Sequence, residues 1–284
     1  MFDGVHLGHQ QVLKQTIFDA RQHNGISLAI TFDRHPNTVV APSRAPKLIY
    51  SLPQKLLELE ALGIDATYLI EFTEEFSHTP GERFVRGLTS QLGQIYSVCV
   101  GSNFTFGHKR SGNVDLLRKM GAEIGFQVHG LAAVSLNGQV VSSTRIRERI
   151  AAGDLDAASQ MLGRTYAISG QVMEGDKLGR QLGAPTANVD IRGLAAPPPG
   201  VYAVQAKFQG EVFPAVANLG TRPTVKRGAE LKLEVHLLDQ ERDLYGQTLE
   251  ICFVEFIRRE QKFGSVDELK AQIGKDIEAA KKLF

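Results

Sequence analysis

Residues 162–173 of the chain read LGRTYAISGQVM, and the pattern of the 284-residue sequence changes at their start. Before this stretch, helical and strand patterns alternate, which is typical of βα units around a parallel sheet. After it, apolar residues recur mostly at every second position between glycine-rich or proline-rich connections, which favours a closed antiparallel barrel. The sequence therefore predicts two domains, residues 1–163 and 164–284, and each is long enough to bury its own core.

Buried strands and helix caps mark the elements of the first half. Ser51 followed by Gln54 predicts a capped helix start, and Thr79 is predicted to cap a helix whose first turn holds Pro80. Asn137-Gly138 predicts a tight hairpin turn. Strands are predicted at 27–32, 66–72, 97–101 and 126–134, and a helix at 113–123.

The second half is predicted to be mostly β-structure. Its final segment is an exception, because Ser265 with Glu268 forms a capping box before a helical apolar stripe. Strands are predicted at 166–173, 201–208, 212–219, 231–238 and 249–257.

Composition narrows the classes of function. Hydrophobic residues make up 43% and charged residues 22% of the chain, and 32 basic residues nearly balance 31 acidic ones. This balance gives no global field that would favour nucleic acid or a membrane as partner, so we expect small-molecule substrates and a monomer or weak homo-oligomer. Cys99 and Cys252 lie in apolar stretches, which predicts two buried thiols in a reducing, cytoplasmic environment. Neither a bilayer-length apolar run nor a leader is visible, which argues against secretion.

The segment His6-Leu7-Gly8-His9 is the first candidate phosphate site. It runs from a loop into a helix, so backbone N–H groups, the helix dipole and two imidazoles can converge on phosphate oxygens. Gly8 lets the backbone approach closely. The spacing alone favours a pair of surface histidines and is also compatible with a metal-binding pair.

A second phosphate element lies at residues 142–147, which read SSTRIR. Hydroxyl groups and two guanidinium groups are placed there at the start of a helix, although a well-capped helix with solvated arginines would show the same residues. Together, this element and the paired histidines resemble the nucleotidyltransferase superfamily. The closer resemblance is to the FMN adenylyltransferase domain of bacterial FAD synthetases, carried also by segments 31–36 (TFDRHP) and 101–113 (GSNFTFGHKRSGN).

This resemblance implies an α/β nucleotidyltransferase domain with a Rossmann-like parallel sheet. It also implies transfer of AMP from ATP to the phosphate of FMN, with release of pyrophosphate. By the resemblance, His6 and His9 stabilise charge on the ATP phosphates, and Gly8, Ser143, Thr144 and Arg147 bind ATP. His35 and Asn103 line the nucleotide and flavin pocket.

The strongest segment of the second half is residues 179–188, GRQLGAPTAN. No Walker-type phosphate loop is present in the sequence, and this segment offers backbone donors, a cation and two oxygen ligands suited to Mg²⁺. A barrel loop rich in turn residues would look the same by composition. The segment resembles riboflavin kinase, as do residues 199–202 (PGVY), 218–224 (NLGTRPT), 233–236 (LEVH) and 243–246 (DLYG).

The riboflavin kinase resemblance implies a barrel that converts riboflavin to FMN with ATP and Mg²⁺. Glu234 is then the general base for the 5′-hydroxyl of riboflavin, and Thr186 and Asn188 hold the magnesium. Gly179 and Arg180 bind ATP, and Tyr245 and Arg258 bind the flavin.

Taken together, the two resemblances suggest a bacterial bifunctional riboflavin kinase and FMN adenylyltransferase. Relatives of this kind carry a strand before the Phe2-Asp3-Gly4 segment, so we expect the native chain to start upstream of Met1. Loss of that strand would leave its neighbours' backbone groups unpaired. Two alternatives remain: a kinase whose first domain is impaired or only binds flavin or nucleotide, and a first domain that uses a different phosphorylated acceptor.

Overall fold

The computed structural model describes residues 1–175, 183–223, 229–240 and 242–284. Two units separate within it. The first comprises Met1–Ile146 with Met161–Gly163, and the second comprises Arg147–Gln160 with Arg164–Phe284. None of the helices in these ranges combines the length and apolar character needed to cross a membrane.

Helices of the first unit surround short parallel strands. The helices are α1 Leu7–Gln22, α2 Asn37–Val40, α3 Leu52–Ala61, α4 Glu74–Ser77, α5 Gly81–Leu92 and α6 Val114–Ile124. The helices α7 Ser143–Ala152 and α8 Leu155–Leu162 follow, and most of their residues belong to the second unit. The strands are β1 Leu28–Phe32, β2 Ala66–Ile70, β3 Ser97–Gly101 and β6 Gln127–Leu131, with short antiparallel pairs β4 Thr105–Phe106 with β5 Gly112–Asn113 and β7 Ser135–Leu136 with β8 Gln139–Val140.

The parallel strands form two separate pairs. In the described part of the chain, β1 pairs with β2 and β3 pairs with β6, each in parallel register over five residues. One core cluster packs α1 and α3 against β1 through residues that include Leu13, Ala29 and Leu59. A second cluster, around Val85 and Met120, packs α5 and α6 against β3 and β6.

A side-chain cap and a turn conformation determine where some of these elements begin or end. Ser51 Oγ accepts the Gln54 N–H at 3.4 Å, so the predicted cap of α3 is confirmed. Asn137 and Gly138 have φ of 52° and 72°, the left-handed values that a two-residue hairpin turn requires.

The predicted cap at Thr79 is wrong. Pro80 is the N-cap residue of α5 and supplies no side-chain cap bond. The carbonyl of Thr79 instead accepts the N–H of His108, and Ser111 Oγ accepts the first N–H of the helix, from Gly81, at 2.9 Å. A side chain 30 residues away in sequence therefore does the work that the sequence pattern assigned to Thr79.

Six strands of the second unit close into an antiparallel barrel in the order β10-β13-β12-β11-β14-β9. They are β9 Ala167–Met173, β10 Ala187–Val189, β11 Gly200–Phe208, β12 Glu211–Pro223, β13 Ala229–Leu237 and β14 Thr248–Arg258. The predicted barrel and its five long strands are confirmed, and the three-residue β10 is an additional strand.

The chain ends in α9, Val266–Lys281, which packs on the barrel. Ser265 Oγ accepts the Glu268 N–H at 3.2 Å, and Glu268 in turn accepts the N–H of Gly264, so both ends of the predicted capping signal are used. Ile277 and Ala280 contact the cluster that contains Val201 and Val216. The apolar stripe of α9 therefore covers the outside of β11 and β12.

Candidate active sites

The paired histidines lie where a 3-10 turn, Asp3–Val5, meets the N-terminus of α1. His6 is the N-cap residue of α1 and is buried, and its ring stacks on that of His9 with centroids 3.7 Å apart. Burial and the neighbouring His6 hold the pKa of His9 well below its ordinary value. His9 Nδ1 has no hydrogen-bond partner among the described residues. The stacked rings lie at a helix N-terminus, where backbone N–H groups favour an anion.

A buried aspartate fixes the loop that carries His6. Asp3 Oδ1 accepts the backbone N–H of Ile49 at 2.9 Å, and the Asp3 carbonyl accepts the Ser143 hydroxyl at 3.0 Å. Gly4 has φ of 76°, and a Cβ there would come within 2.9 Å of the Ile49 side chain. The loop geometry thus depends on both a hydrogen-bonding carboxylate and a missing side chain.

Residues of the second phosphate element start α7. Ser142 Oγ accepts the N–H of Arg145, and the Arg145 guanidinium donates to Val140 O and to the Gln139 side chain. Ser143 reaches the histidine loop through its bond to Asp3. Thr144 follows in the first turn, and Arg147 lies one turn further along α7, in the second unit.

A cavity of about 1540 Å³ opens between the two strand pairs of the first unit. Its lining includes β1, β3, His6, His9 and the predicted flavin-pocket residue Asn103. His35 follows β1, where its Nδ1 accepts the Asn37 N–H at 3.0 Å, and the adjoining Pro36 lines the cavity. The structure therefore brings Asn103 and the histidine pair to one cavity and places His35 at its edge.

Aromatic side chains line one part of this cavity. Successive ring centroids lie 5.0 Å apart for Phe32–Phe72, 5.6 Å for Phe72–Phe76, 5.8 Å for Phe76–Phe84 and 6.1 Å for Phe84–Phe106. Edge-to-face contacts dominate this series, as expected for packed aromatic rings. Such a lining offers flat apolar surface to a fused-ring ligand.

Lys55 is a buried cation that the sequence reasoning missed. Its ammonium donates to Phe32 O at 2.8 Å and to Thr31 Oγ1 at 3.2 Å, at the carboxyl end of β1. Burial lowers the pKa of Lys55, and the charges of Asp3 and Asp33 oppose that effect. Helical spacing in α3 indicates that the side chain of residue 55 faces inward. Only the tertiary contacts show that its ammonium group lies beside β1, which lines the cavity.

In the barrel, three side chains form a row across neighbouring strands. Glu234 of β13 lies opposite Asn188 of β10 and opposite Asn218 of β12. Directly paired residues share a face of the sheet, with Cβ atoms roughly 4.5–5.5 Å apart. Thr186 lies two residues before Asn188, immediately ahead of β10. The structure therefore brings together Asn188 and Glu234, with Thr186 two residues before Asn188, and it adds Asn218, which was not among the predicted site residues.

A lysine neighbours the predicted base. Lys232 lies two residues before Glu234 on the same face of β13, and its ammonium is 2.6 Å from Glu234 Oε1. Both side chains are 29% exposed, so the pair lies at the barrel surface rather than in its core. The carboxylate of Glu234 is thus held in place on one side and remains accessible on the other.

The remaining predicted residues have different environments. Arg258 makes two hydrogen bonds to Asp276 of α9, at 2.8 and 2.7 Å, so its guanidinium is bound to a protein carboxylate. Tyr245 is 39% exposed beside Asp243. Gly179 and Arg180 lie outside the described residues.

The oxygen groups of the row fit a magnesium ion. Asn188 Oδ1 is buried and has no hydrogen-bond partner within the described ranges, and the Asn188 side chain packs so closely on Gly175 that a Cβ there would collide with it. Thr186, two residues before Asn188, supplies a second hard oxygen. A set of so few protein oxygens suits a cation that takes most of its ligands from phosphate and water.

An α/β unit with stacked histidines at a helix N-terminus, followed by a closed barrel with an asparagine–glutamate–asparagine row, defines a two-part nucleotide-dependent transferase. The FAD synthetase family model matches residues 1–145, and the riboflavin kinase family model matches residues 162–284. The bifunctional riboflavin kinase/FMN adenylyltransferase of Escherichia coli strain K12 is 39% identical over 284 residues, which cover 100% of this chain and 90% of that relative.

A second relative and a solved structure also match nearly the whole chain. The protein of the same name from Haemophilus influenzae is also 39% identical and covers 100% of this chain and 92% of its own. A crystal structure described as a macrolide-efflux protein from Streptococcus pneumoniae superposes with a TM-score of 0.82 at 28% identity, covering 99% of this chain and 91% of that one. The chain belongs to the bifunctional riboflavin kinase/FMN adenylyltransferase family.

Proposed function

We propose that the chain converts riboflavin to FMN in its barrel and FMN to FAD in its first unit, with one ATP used in each step. The observation that carries this proposal is that each unit keeps its own phosphate-competent site. The stacked histidines begin α1 in one unit, and the row Asn188, Glu234 and Asn218 crosses the barrel in the other.

In the kinase step, Glu234 removes the proton of the riboflavin 5′-hydroxyl as its oxygen bonds to the γ-phosphorus of ATP. The bond between that phosphorus and the bridging oxygen of ADP breaks, and ADP leaves. Thr186 and Asn188 would hold Mg²⁺, which when bound neutralises charge on the transferred phosphoryl group. Glu234 suits the role of base because its carboxylate is already fixed by Lys232 beside the two ligand residues.

In the adenylyl step, a phosphate oxygen of FMN bonds to the α-phosphorus of ATP, and the bond to pyrophosphate breaks. His6 and His9 stabilise negative charge that develops on the phosphates, and the α1 N-terminus adds backbone N–H groups. Gly8, Ser143, Thr144 and Arg147 are assigned to ATP by the family resemblance. The aromatic lining around Phe76 is the surface we assign to the isoalloxazine ring, with Asn103 and His35 at its margins.

The test is to incubate the purified chain with riboflavin and MgATP and to resolve FMN and FAD by chromatography. We expect both products. Glu234→Gln should lower riboflavin phosphorylation by roughly 10²- to 10⁴-fold but leave conversion of supplied FMN to FAD intact. His9→Gln should give the opposite pattern. Glu255→Gln, which removes an exposed carboxylate from β14, is the matched control. If the wild-type chain forms neither FMN nor FAD, the proposal is wrong.

One observation favours a second candidate function, a riboflavin kinase whose first unit only binds flavin or nucleotide. In the described structure, β1 and β3 each pair with a single strand and border a wide cavity. The histidine loop lies beside this opening. FMN without FAD in the same assay would select this candidate.

We also infer that the chain works as a monomer or weak homo-oligomer in the cytoplasm. Cys99 and Cys252 are free thiols, and burial raises the pKa of each to about 11, which suits a reducing compartment. Cell fractionation and size-exclusion chromatography test the two statements. Recovery of the chain outside the cytoplasm, or as a tight large oligomer, would contradict them.

A further inference from the structure

The barrel row has a second polar end, on the side of Glu234 away from Asn188. In the strand order, β13 lies between β10 and β12, so Asn188 and Asn218 flank Glu234 on opposite sides. Thr186 lies on the Asn188 side, which we assign to the metal and the phosphates. The acceptor then has to approach Glu234 from a side that the metal and the phosphates do not occupy.

A second carboxylate, that of Glu260, lies close to this end because residue 220 is a glycine. Gly220 is buried, two residues after Asn218 on the same face of β12, and a Cβ there would lie 2.6 Å from Glu260 Oε1. The same point lies 3.7 Å from Asn218 Nδ2. The absence of a side chain at residue 220 thus lets the Glu260 carboxylate approach the Asn218 amide on this face.

The chemistry of this pair differs from that of the metal side. Asn218 offers two N–H donors and one carbonyl acceptor, while Glu260 offers acceptors only. Lys232, directly opposite Gly220, already pairs with Glu234, so Asn218 and Glu260 themselves offer hydrogen bonds rather than positive charge. Vicinal hydroxyl groups, each both donor and acceptor, match such a pair well.

We propose that Asn218 and Glu260 form a subsite that hydrogen-bonds the secondary hydroxyl groups of the acceptor's polyol chain. This proposal rests on the kinase function assigned to the barrel. The subsite holds the ribityl chain so that its terminal hydroxyl meets Glu234, and it makes the barrel selective for polyhydroxylated flavins over flavins with a plain alkyl chain. Asn218 is therefore a specificity residue, and Gly220 is a positioning residue that leaves room for Glu260.

The test compares two acceptors, riboflavin and an isoalloxazine that carries a 5-hydroxypentyl chain. The analogue keeps the reacting hydroxyl and lacks the secondary ones. Asn218→Ala should raise the KM for riboflavin by roughly three- to tenfold, the effect of one lost hydrogen bond, and should leave the KM for ATP within twofold. With the hydroxypentyl analogue, the same substitution should change KM by less than twofold.

Two further variants separate this role from a general effect on folding. Glu260→Gln should weaken the binding of riboflavin more than that of the hydroxypentyl analogue. Gly220→Ala should have the same effect, because it displaces the Glu260 side chain without altering its charge. Glu255→Gln is again the control. If Asn218→Ala lowers kcat equally for both acceptors, or raises the KM for ATP, the subsite assignment is wrong.

Equilibrium binding keeps this test independent of turnover. Quenching of flavin fluorescence measures the affinity for riboflavin and for the hydroxypentyl analogue in the absence of ATP. Loss of preference for riboflavin in Asn218→Ala supports the subsite, and an unchanged preference overturns it. A wild-type chain that binds riboflavin selectively but forms no FMN would refute the kinase function and leave the subsite standing.

Discussion

Replacing Arg258 by methionine should destabilise the barrel and leave flavin recognition largely intact. The guanidinium donates to both oxygens of Asp276, and the side chains are 21% and 6% exposed. Breaking a buried pair by removing one partner typically costs about 3–5 kcal/mol, because the other charge stays buried. Gln272 still donates to Asp276 Oδ1 at 2.9 Å, and Arg258 is partly solvated, so we expect a loss of about 2–3 kcal/mol.

Thermal unfolding measures this loss. In a domain of this size, 1 kcal/mol corresponds to roughly 4 °C, so the Tm of the barrel should fall by about 8–12 °C. The chain contains no tryptophan, so far-UV circular dichroism or calorimetry is the suitable probe. The double variant Arg258→Met/Asp276→Leu should recover much of the loss, because no unpaired charge remains.

The same variants decide between two roles for Arg258. A structural role predicts a KM for riboflavin within about twofold of wild type, measured below the transition. A Tm change under about 2 °C, or a double variant no more stable than Arg258→Met alone, would refute the ion-pair reasoning. A KM for riboflavin raised more than tenfold at unchanged Tm would support the flavin contact that the family resemblance implies.

Three further predictions concern pH, backbone conformation and packing. The pKa of His9 is lower in the folded chain than the unfolded value of about 6.5, so the unfolded state binds more protons and stability should fall as pH drops below about 6.5. His9→Gln should reduce that fall, seen as Tm at pH 8 and pH 5.5. Gly107→Ala should lower Tm more than Gly93→Ala, because both glycines have φ of 74° but only a Cβ at 107 would collide with the start of α5. Leu219→Ala, fully buried in the barrel, should cost about 2–5 kcal/mol in urea unfolding, and the exposed control Val254→Ala should cost little; equal losses would contradict the assigned core.

Local chemistry explains which elements were predictable from the sequence. Ser97–Gly101 is found at its predicted bounds, because an apolar run between polar turns leaves little choice of structure. The hairpin at Asn137 and Gly138 follows from conformations that few residues adopt. By contrast, Ser111 caps α5 from a distant segment, and three-residue β10 is shorter than any periodic pattern can reveal.

The site residues divide in the same way. Glu234 and Asn188 stand in motifs that a resemblance can identify, although their roles stay predictions. Asn218 opens one of the segments that carry the resemblance, but only strand register places it beside Glu234, 16 residues away in sequence and directly opposite in the barrel. Lys55 is similar, because helical spacing predicts an inward side chain there and tertiary contacts alone show where its charge lies.

The first unit supports its phosphate site with buried polar groups rather than with the ligand alone. Asp3 ties the histidine loop to residue 49 and to Ser143, and Lys55 ties α3 to Thr31 and Phe32 at the carboxyl end of β1. Ligands of open α/β sheets bind at that end of the strands. Burying such charges weakens the fold unless hydrogen bonds satisfy them, as they do here. His6 and His9 are therefore held by contacts within the protein, so the proposed binding of ATP does not have to order this loop.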